Sequence, residues 1–379
     1  MPLQTLTNAT ILTDDGFRDN AALLIEDGKI LDIVDAATAQ HAGDIRDLHG
    51  AYLLPGFIDA QVNGGGGALL NNTPTVEALR TMMRGHRQFG TTGMLPTLIS
   101  DDVEVMAKAI AAVRAAIAEG VPGILGIHLE GPYLAAARKG THNPAKFRVP
   151  DTREIELAAS LDNGVTLLTL APEQVPLDTI RAFVERGVIV AAGHTAGNYE
   201  QTRAGLDAGI RGFTHLYNAM TPLQGREPGV VGAALEDRDA WCGVIVDGVH
   251  VHPASLRMAL AAKPRGKVYL VTDAMPMVGA DSPGFDLYGE TITAVDGVVR
   301  NAAGSLAGSA LDMASAVRNS VRLLGLPLEE AARMAALYPA QFLGISDVRG
   351  RIAPGLQADL VALSRDELQV VGTWIGGKP

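Results

Sequence analysis

GMLPTLISDDVEVMAKAIAAVRAAIAEGVPGILGIHLE, residues 93–130, carries one repeat of the pattern that organises most of the chain. Gly93–Thr97 and Ile124–Leu129 are short apolar runs of the buried-strand type, and the residues between them read as an amphipathic helix. Ser100 is a suitable N-cap, and Asp101 and Asp102 suit the positive end of the helix dipole. Val103, Met106, Ile110, Val113 and Ile117 then recur at helical spacing until Gly120 stops them. Such a stripe packs against a sheet and is not a cofactor box.

Working outward, the same alternation gives eight runs. They are Leu53–Ile58, Gly93–Thr97, Ile124–Leu129, Val165–Leu170, Val188–Ala192, Gly212–Leu216, Gly243–Val246 and Val268–Val271. Eight parallel βα units predict a closed (β/α)8 TIM barrel over residues 53–348, with an open doubly wound sheet as the alternative. The chain ends differ in texture. Asp27-Gly28 sits between the apolar stretches of Ala22–Ile30 as in a tight hairpin, and Gly350–Gly355 leads into the apolar run Ala358–Leu363. Residues 1–52 and 349–379 are therefore expected to form one small β-sandwich domain together.

Composition removes several classes of function. Lys and Arg number 31 against 42 Asp and Glu, and the resulting charge of −11 is the wrong sign for a general nucleic-acid or anionic-membrane binder. The single cysteine, Cys242, excludes an intramolecular disulfide framework, a thiolate zinc cluster and a CxxC redox pair, and points to a reducing, cytoplasmic setting. Met1-Pro2-Leu3-Gln4-Thr5 has no basic region ahead of an apolar one, and no apolar run approaches the roughly 18 to 20 residues that span a bilayer. A soluble protein that is not exported is expected.

A barrel of this kind places its active site at the C-terminal ends of the strands. There the sequence offers Asp59-Ala60-Gln61-Val62-Asn63, His128-Leu129-Glu130, Gly193-His194-Thr195, Thr214-His215-Leu216 and Thr272-Asp273-Ala274. A lone histidine at a strand end is ordinarily a hydrogen-bonded structural residue. Glu130, His194 and His215 together are instead a ligand set that holds a zinc-type ion with a fourth position open. Asp273, on the strand that closes against strand one, suits a proton acceptor and donor. His128, two residues before Glu130, points to the same side one layer deeper and reads as core or as support behind the ligands.

No phosphate-binding P-loop, Gly-x-Ser-x-Gly elbow or His-Glu-x-x-His helix occurs. Gly64–Gly67 lacks dinucleotide-fingerprint spacing and reads as a flexible βα loop. His41, His49, His86 and His252 receive no role beyond solvated or structural.

With these residues in view, the sequence resembles the amidohydrolase superfamily and, within it, the N-acetylglucosamine-6-phosphate deacetylase family. Its landmarks run end to end: Pro55–Asp59, His128–Pro132, Gly193–Thr195, Thr214–Met220, Gly225–Gly229, Asp247–His250, Thr272–Ala274 and Leu306–Ser309. The resemblance implies an amidohydrolase-type barrel in which Glu130, His194 and His215 bind one divalent ion per subunit. That ion is expected to be Zn2+, with Fe2+, Co2+ and Mn2+ as alternatives. It implies that Asp273 is general base and then acid, and that His142, next to Thr141, orients and polarises the amide. Gln61, Asn63, Thr141, Asn218, Ala219, Arg226 and His250 are implied substrate contacts, and Leu306, Ala307 and Gly308 line the acetyl side. Arg226 is expected to reach the neighbouring subunit's site in a homodimer. The implied substrate is a phosphorylated amino sugar, hydrolysed to glucosamine 6-phosphate and acetate.

One departure from the wider superfamily bears on the metal count. Most members carry His-x-His at the end of strand one, and many add a carboxylated lysine after strand four. Here the first is Gln61-Val62-Asn63, and Val165–Ala171 contains no lysine. Neutral amides are weak ligands for such an ion, so one metal is expected. Two rival readings stay open: another amidohydrolase acting on a different N-acyl or cyclic amide, and a non-catalytic sugar-phosphate-binding protein. Asp273 argues against the last, because pure binding needs no proton shuttle.

Overall fold

The computed structural model describes residues 3–39, 43–282 and 284–379; His41 lies outside them. Barrel strands one to eight are Phe57–Val62, Thr91–Ile99, Gly126–Glu130, Val165–Leu170, Ile189–Ala192, Gly212–Phe213, Trp241–Val244 and Val268–Leu270. Each pairs in parallel with the next. The ring closes between the last and the first. Asp273 N–H donates to the Gln61 carbonyl at 3.0 Å and Asn63 N–H to the Ala274 carbonyl at 2.9 Å. The fold is thus a closed barrel and not an open doubly wound sheet. Its strands are sealed from solvent, with Met94, Leu95, Ile127, Leu168, Val190, Phe213 and Leu270 fully buried.

Two details differ from the sequence expectation. Leu53, Leu54 and Pro55 do not open barrel strand one; they pair antiparallel with Ala362, Val361 and Leu360 in the terminal sheet, and the barrel strand starts at Phe57. One extended stretch serves two sheets, a division that apolar patterning alone does not mark. Ser100 is also not an N-cap: the helix Val103–Ala118 starts after Asp102. The Ser100 hydroxyl is 2.8 Å from His142 Nδ1 instead. The predicted helix face does pack inward, with Met106, Ile110 and Val113 buried.

Pro96 lies inside buried strand two, where it cannot donate a ladder bond. The pairing with strand one is irregular there, and Val62 N–H donates to Thr97 Oγ1 at 2.9 Å.

The terminal sheet has six strands in the order Val370–Trp374, Leu360–Leu363, Asp44–Pro55, Gln4–Thr13, Gly16–Glu26 and Lys29–Asp35. Only the pair Gln4–Thr13 with Asp44–Pro55 is parallel. Alternation divides its side chains between two cores. Leu360 and Ala362 join a cluster with Leu6, Ile11, Leu23 and Trp374, whereas Val361 and Leu363 pack into the barrel's cluster. Asp27 (φ +48°) and Gly28 (φ +79°) form the expected hairpin turn between Glu26 and Lys29.

A feature outside the sequence expectation follows strand eight. Gly284–Leu287, Glu290–Val295 and Val298–Arg300 form a three-stranded antiparallel insert. Phe285, Leu287, Ile292 and Val299 bury against Ile99, Met275 and Ala307 at the barrel mouth.

Candidate active site

The strands end in abrupt turns. Past strands five, six and eight, His194, His215 and Asp273 have φ of +47°, +34° and +54°. Left-handed backbone costs a non-glycine residue about 1–3 kcal/mol and persists where the surroundings enforce it. Here it coincides with the polar ring at the barrel mouth.

Glu130, His194 and His215 meet in a compact triangle. Glu130 Oε1 is 3.2 Å from His194 Nε2 and 2.9 Å from His215 Nε2, and the two nitrogens are 3.1 Å apart. Ligands about 2.0 Å from a tetrahedral ion stand about 3.3 Å from one another, so the spacing is that of a metal site. Protonation points the same way. His194 Nδ1 is 2.8 Å from the Arg138 carbonyl, which can only accept, so the ring's proton sits on Nδ1. Its Nε2 lone pair then faces a carboxylate oxygen, a crowding of acceptors that a cation resolves. Burial would raise Glu130, but rings protonated toward it, the alternative to a cation there, outweigh this and hold it well below the usual carboxylate range. Burial opposes the His215 cation, and Glu130 overrides it, raising His215.

Asp273 faces this triangle. Burial, and then the charge of Glu130, push it up to about 6. Gln61 Nε2 donates to Asp273 Oδ1 and to Glu130 Oε1, each at 3.1 Å, and Asn63 Nδ2 donates to Asp273 Oδ1 at 2.6 Å. Asn63 Oδ1 is buried without a partner. Asp59, to which sequence reasoning assigned no role, accepts from Thr272 Oγ1 at 2.5 Å and from the Thr272 and Gln61 backbone N–H groups at 3.2 Å each. Burial pushes it up to about 7 despite those bonds.

His128 lies beneath, as expected. Its Nδ1 is 3.2 Å from Thr97 Oγ1 and its Nε2 2.7 Å from Thr169 Oγ1, and burial lowers it to about 4. His142 is also buried, and burial takes it down to about 3. Its Nε2 is 3.9 Å from Glu130 Oε2.

The triangle opens into a cavity of about 610 Å³, an ordinary size for a small-ligand site. Asn63, Thr141, His142, Asn218, Ala219, His250, Asp273, Leu306 and Gly308 line it with the three candidate ligands. Three other expected contacts do not. Gln61 is buried behind the carboxylates, and Ala307 packs into the core of the insert. Arg226 is exposed on the loop after strand six, outside the cavity of its own chain.

Other neighbours were missed. Arg138 and Lys139 stand at the rim, directly ahead of the Gly140-Thr141-His142 run, and that adjacency was the one signal for them in the sequence. Asp247 Oδ2 is 2.5 Å from His250 Nδ1, and its Oδ1 accepts from the Val249 and His250 N–H groups at 2.8 Å each, which orients the ring.

The remaining histidines are peripheral. His86 is buried with Nε2 2.8 Å from the Gly64 carbonyl, His252 accepts from Ala254 N–H at the start of Pro253–Ala262, and His49 is exposed. The Gly64–Gly67 segment, expected as a flexible loop, is a tight hairpin in which Gly64–Gly65 pair with Ala68–Leu69. A Cβ on Gly65 would lie 2.6 Å from the His86 ring, so glycine is there for close packing.

A closed parallel barrel with a Glu-His-His triangle beside a half-buried carboxylate defines a class of hydrolases built around a divalent ion. The chain belongs to the amidohydrolase family, which it matches over residues 52–379. It is 45% identical to an N-acetylgalactosamine-6-phosphate deacetylase of Shewanella sp. (strain ANA-3), over 98% of this chain and 94% of that one. It is 35% identical to an N-acetylglucosamine-6-phosphate deacetylase of Haemophilus influenzae, with 98% of each chain covered. The crystal structure of N-acetylglucosamine-6-phosphate deacetylase from Pasteurella multocida superposes with a TM-score of 0.96 at 35% identity, over 99% of both chains.

Proposed function

We propose that the protein hydrolyses the acetamide of an N-acetylhexosamine 6-phosphate, releasing acetate and the amino-sugar phosphate. The observation that carries this is Asp273, half-buried and raised to about 6, facing the Glu130-His194-His215 triangle in a cavity of sugar size. The family resemblance of the sequence points to N-acetylglucosamine 6-phosphate. The 45% relative is named for the galactosamine epimer, which shares the acetamide and the phosphate.

When bound, a divalent ion supplies Lewis-acid activation of water and of the acyl oxygen. Glu130, His194 and His215 hold it, with Zn2+ the ion best suited to two imidazoles and a carboxylate. One ion per chain is supported by Gln61 and Asn63, whose amides turn N–H groups toward the carboxylates. Ionised Asp273 accepts a proton from the attacking water and afterwards delivers it to the amide nitrogen, which leaves readily only when protonated. Gln61 and Asn63 both donate to Oδ1, leaving Oδ2 for those transfers. His142 donates to the acyl oxygen as negative charge develops there. Asn218, Ala219 and His250 hold the sugar phosphate, Thr141 contacts the sugar, and Leu306 and Gly308 border the acetyl group.

Arg226 completes the phosphate site from the partner of a homodimer. Its exposure outside its own cavity, beside the exposed Leu223, supports this reading. Mixing R226A with D273N chains then restores activity to about a quarter of native, because each mixed dimer rebuilds one complete site; no restoration would place Arg226 elsewhere. A cytoplasmic location is consistent with the buried lone Cys242. Among the described residues, no helix is long and apolar enough to cross a membrane.

The deciding experiment is acetate release by metal-quantified protein from both epimeric 6-phosphates and from the unphosphorylated sugars. Fast, phosphate-dependent release at one metal per chain is expected. Metal-loaded protein that leaves every one of these sugars intact would refute the proposal.

A further inference from the structure

His142 is held between two sets of partners. Its ring centroid is 4.4 Å from that of His194 and 6.3 Å from that of Phe147. Nδ1 is 2.8 Å from Ser100 Oγ and 3.3 Å from the Ser100 backbone nitrogen, while Nε2 faces Glu130 Oε2 at 3.9 Å. A hydroxyl can donate or accept, but a peptide N–H only donates. A proton on Nδ1 would point at the Ser100 N–H, so Nδ1 must be the lone pair.

We propose that Ser100 is a positioning residue for the reaction: its backbone N–H and hydroxyl hold His142 Nδ1 as an acceptor and so fix the ring's proton on Nε2, the nitrogen that faces the reacting group. The inference rests on the deacetylase reading for the identity of that group. It has two chemical consequences. Nε2–H is available as a hydrogen-bond donor to the developing oxyanion. A protonated Nε2 also has no lone pair, so His142 stays out of the ligand set although its ring lies against that of a ligand histidine.

Ser100 is itself braced from both flanks and from above. The Asn71 carboxamide accepts from Ile99 N–H at 3.1 Å and donates to the Ile99 carbonyl at 2.9 Å and to Asp101 Oδ2 at 3.0 Å. Tyr288, at the first turn of the insert with φ +52°, donates its hydroxyl to the Ser100 carbonyl at 2.5 Å. The arrangement explains why Ser100 leaves the helix N-cap to Asp102: its polar atoms are engaged across the barrel mouth.

The test is long-range 15N–1H correlation on zinc-loaded, 15N-histidine-labelled protein, with His142 assigned by its loss in H142N. The expected spectrum has the proton on Nε2 and the lone pair on Nδ1, and S100T retains it. S100A keeps the backbone N–H and with it the proton on Nε2, but it shifts the Nδ1 signal through loss of the hydroxyl and lowers kcat about tenfold with KM within about twofold, and S100T recovers most of the rate. A proton on Nδ1 in the native protein would overturn the proposal whether or not a variant folds. So would S100A with native kcat and an unchanged ring signal. Absence of deacetylation by native protein would strike the functional reading instead, since the ring's proton is read without substrate.

Discussion

In the proposed reaction Asp273 must be a base before it is an acid, and its surroundings set the pH at which it can be one. Burial and the nearby Glu130 raise it to about 6. The first proton transfer needs the ionised form, so kcat/KM is expected to fall about tenfold per unit as pH drops below that value, and a bound cation moves this limb lower. D273N should lower kcat about a thousandfold or more while the enzyme still binds substrate, measured by calorimetry alongside turnover. Unimpaired turnover in D273N would remove the proton shuttle. Asp247 makes a companion case: D247N leaves His250 unoriented and should raise KM for the phosphorylated sugar more than it lowers kcat. The candidate ligands were legible because Glu130, His194 and His215 stand at the ends of recognisable strands. The roles of Gln61 and Asp59 were not, because each acts through a partner far away in sequence, Glu130 for the first and Thr272 for the second.

At the scale of elements, apolar periodicity located all eight barrel strands, since a buried strand needs a short run of branched and large apolar residues whatever its neighbours are. Ends and junctions were less legible. Leu53, Leu54 and Pro55 are as apolar as the barrel strand they precede, and only pairing with Ala362, Val361 and Leu360 assigns them to the other sheet. The insert carried an unread signal in Asp296-Gly297, whose φ values of +52° and +76° make the turn before Val298–Arg300. Close strand packing gives a prediction at this scale. A Cβ on Gly126 would lie 1.9 Å from the Val165 carbonyl oxygen, and neither backbone can yield without breaking the pairing of strands three and four. G126A should cost about 3 kcal/mol, visible as a lowered thermal midpoint; a native midpoint would mean the strands can separate freely.

At the scale of the whole molecule, the seam between the first and last barrel strands is both a closure and a liability. Asp59 is fully buried beneath it and raised to about 7 from an unfolded value of 3.8. The native protein therefore keeps a proton that the unfolded chain releases, and stability declines as pH rises from about 4 to about 7, by at most about 4 kcal/mol. D59N, whose amide can accept the same two backbone N–H groups, should flatten that decline, so its melting temperature relative to native rises with pH; parallel melting curves across the window would sink this assignment. The sequence by itself determined the number and order of the barrel strands, the acidic balance and the residue types at the strand ends, because periodicity and composition are properties of local chain. Tertiary structure alone decided that Gln61 links Glu130 to Asp273, which face Leu360–Leu363 turn to which core, and that Ser100 serves His142 instead of a helix. Hydrogen bonds and charges act over a few ångströms in space, and only the closed barrel brings Gln61, Glu130 and Asp273 within that distance.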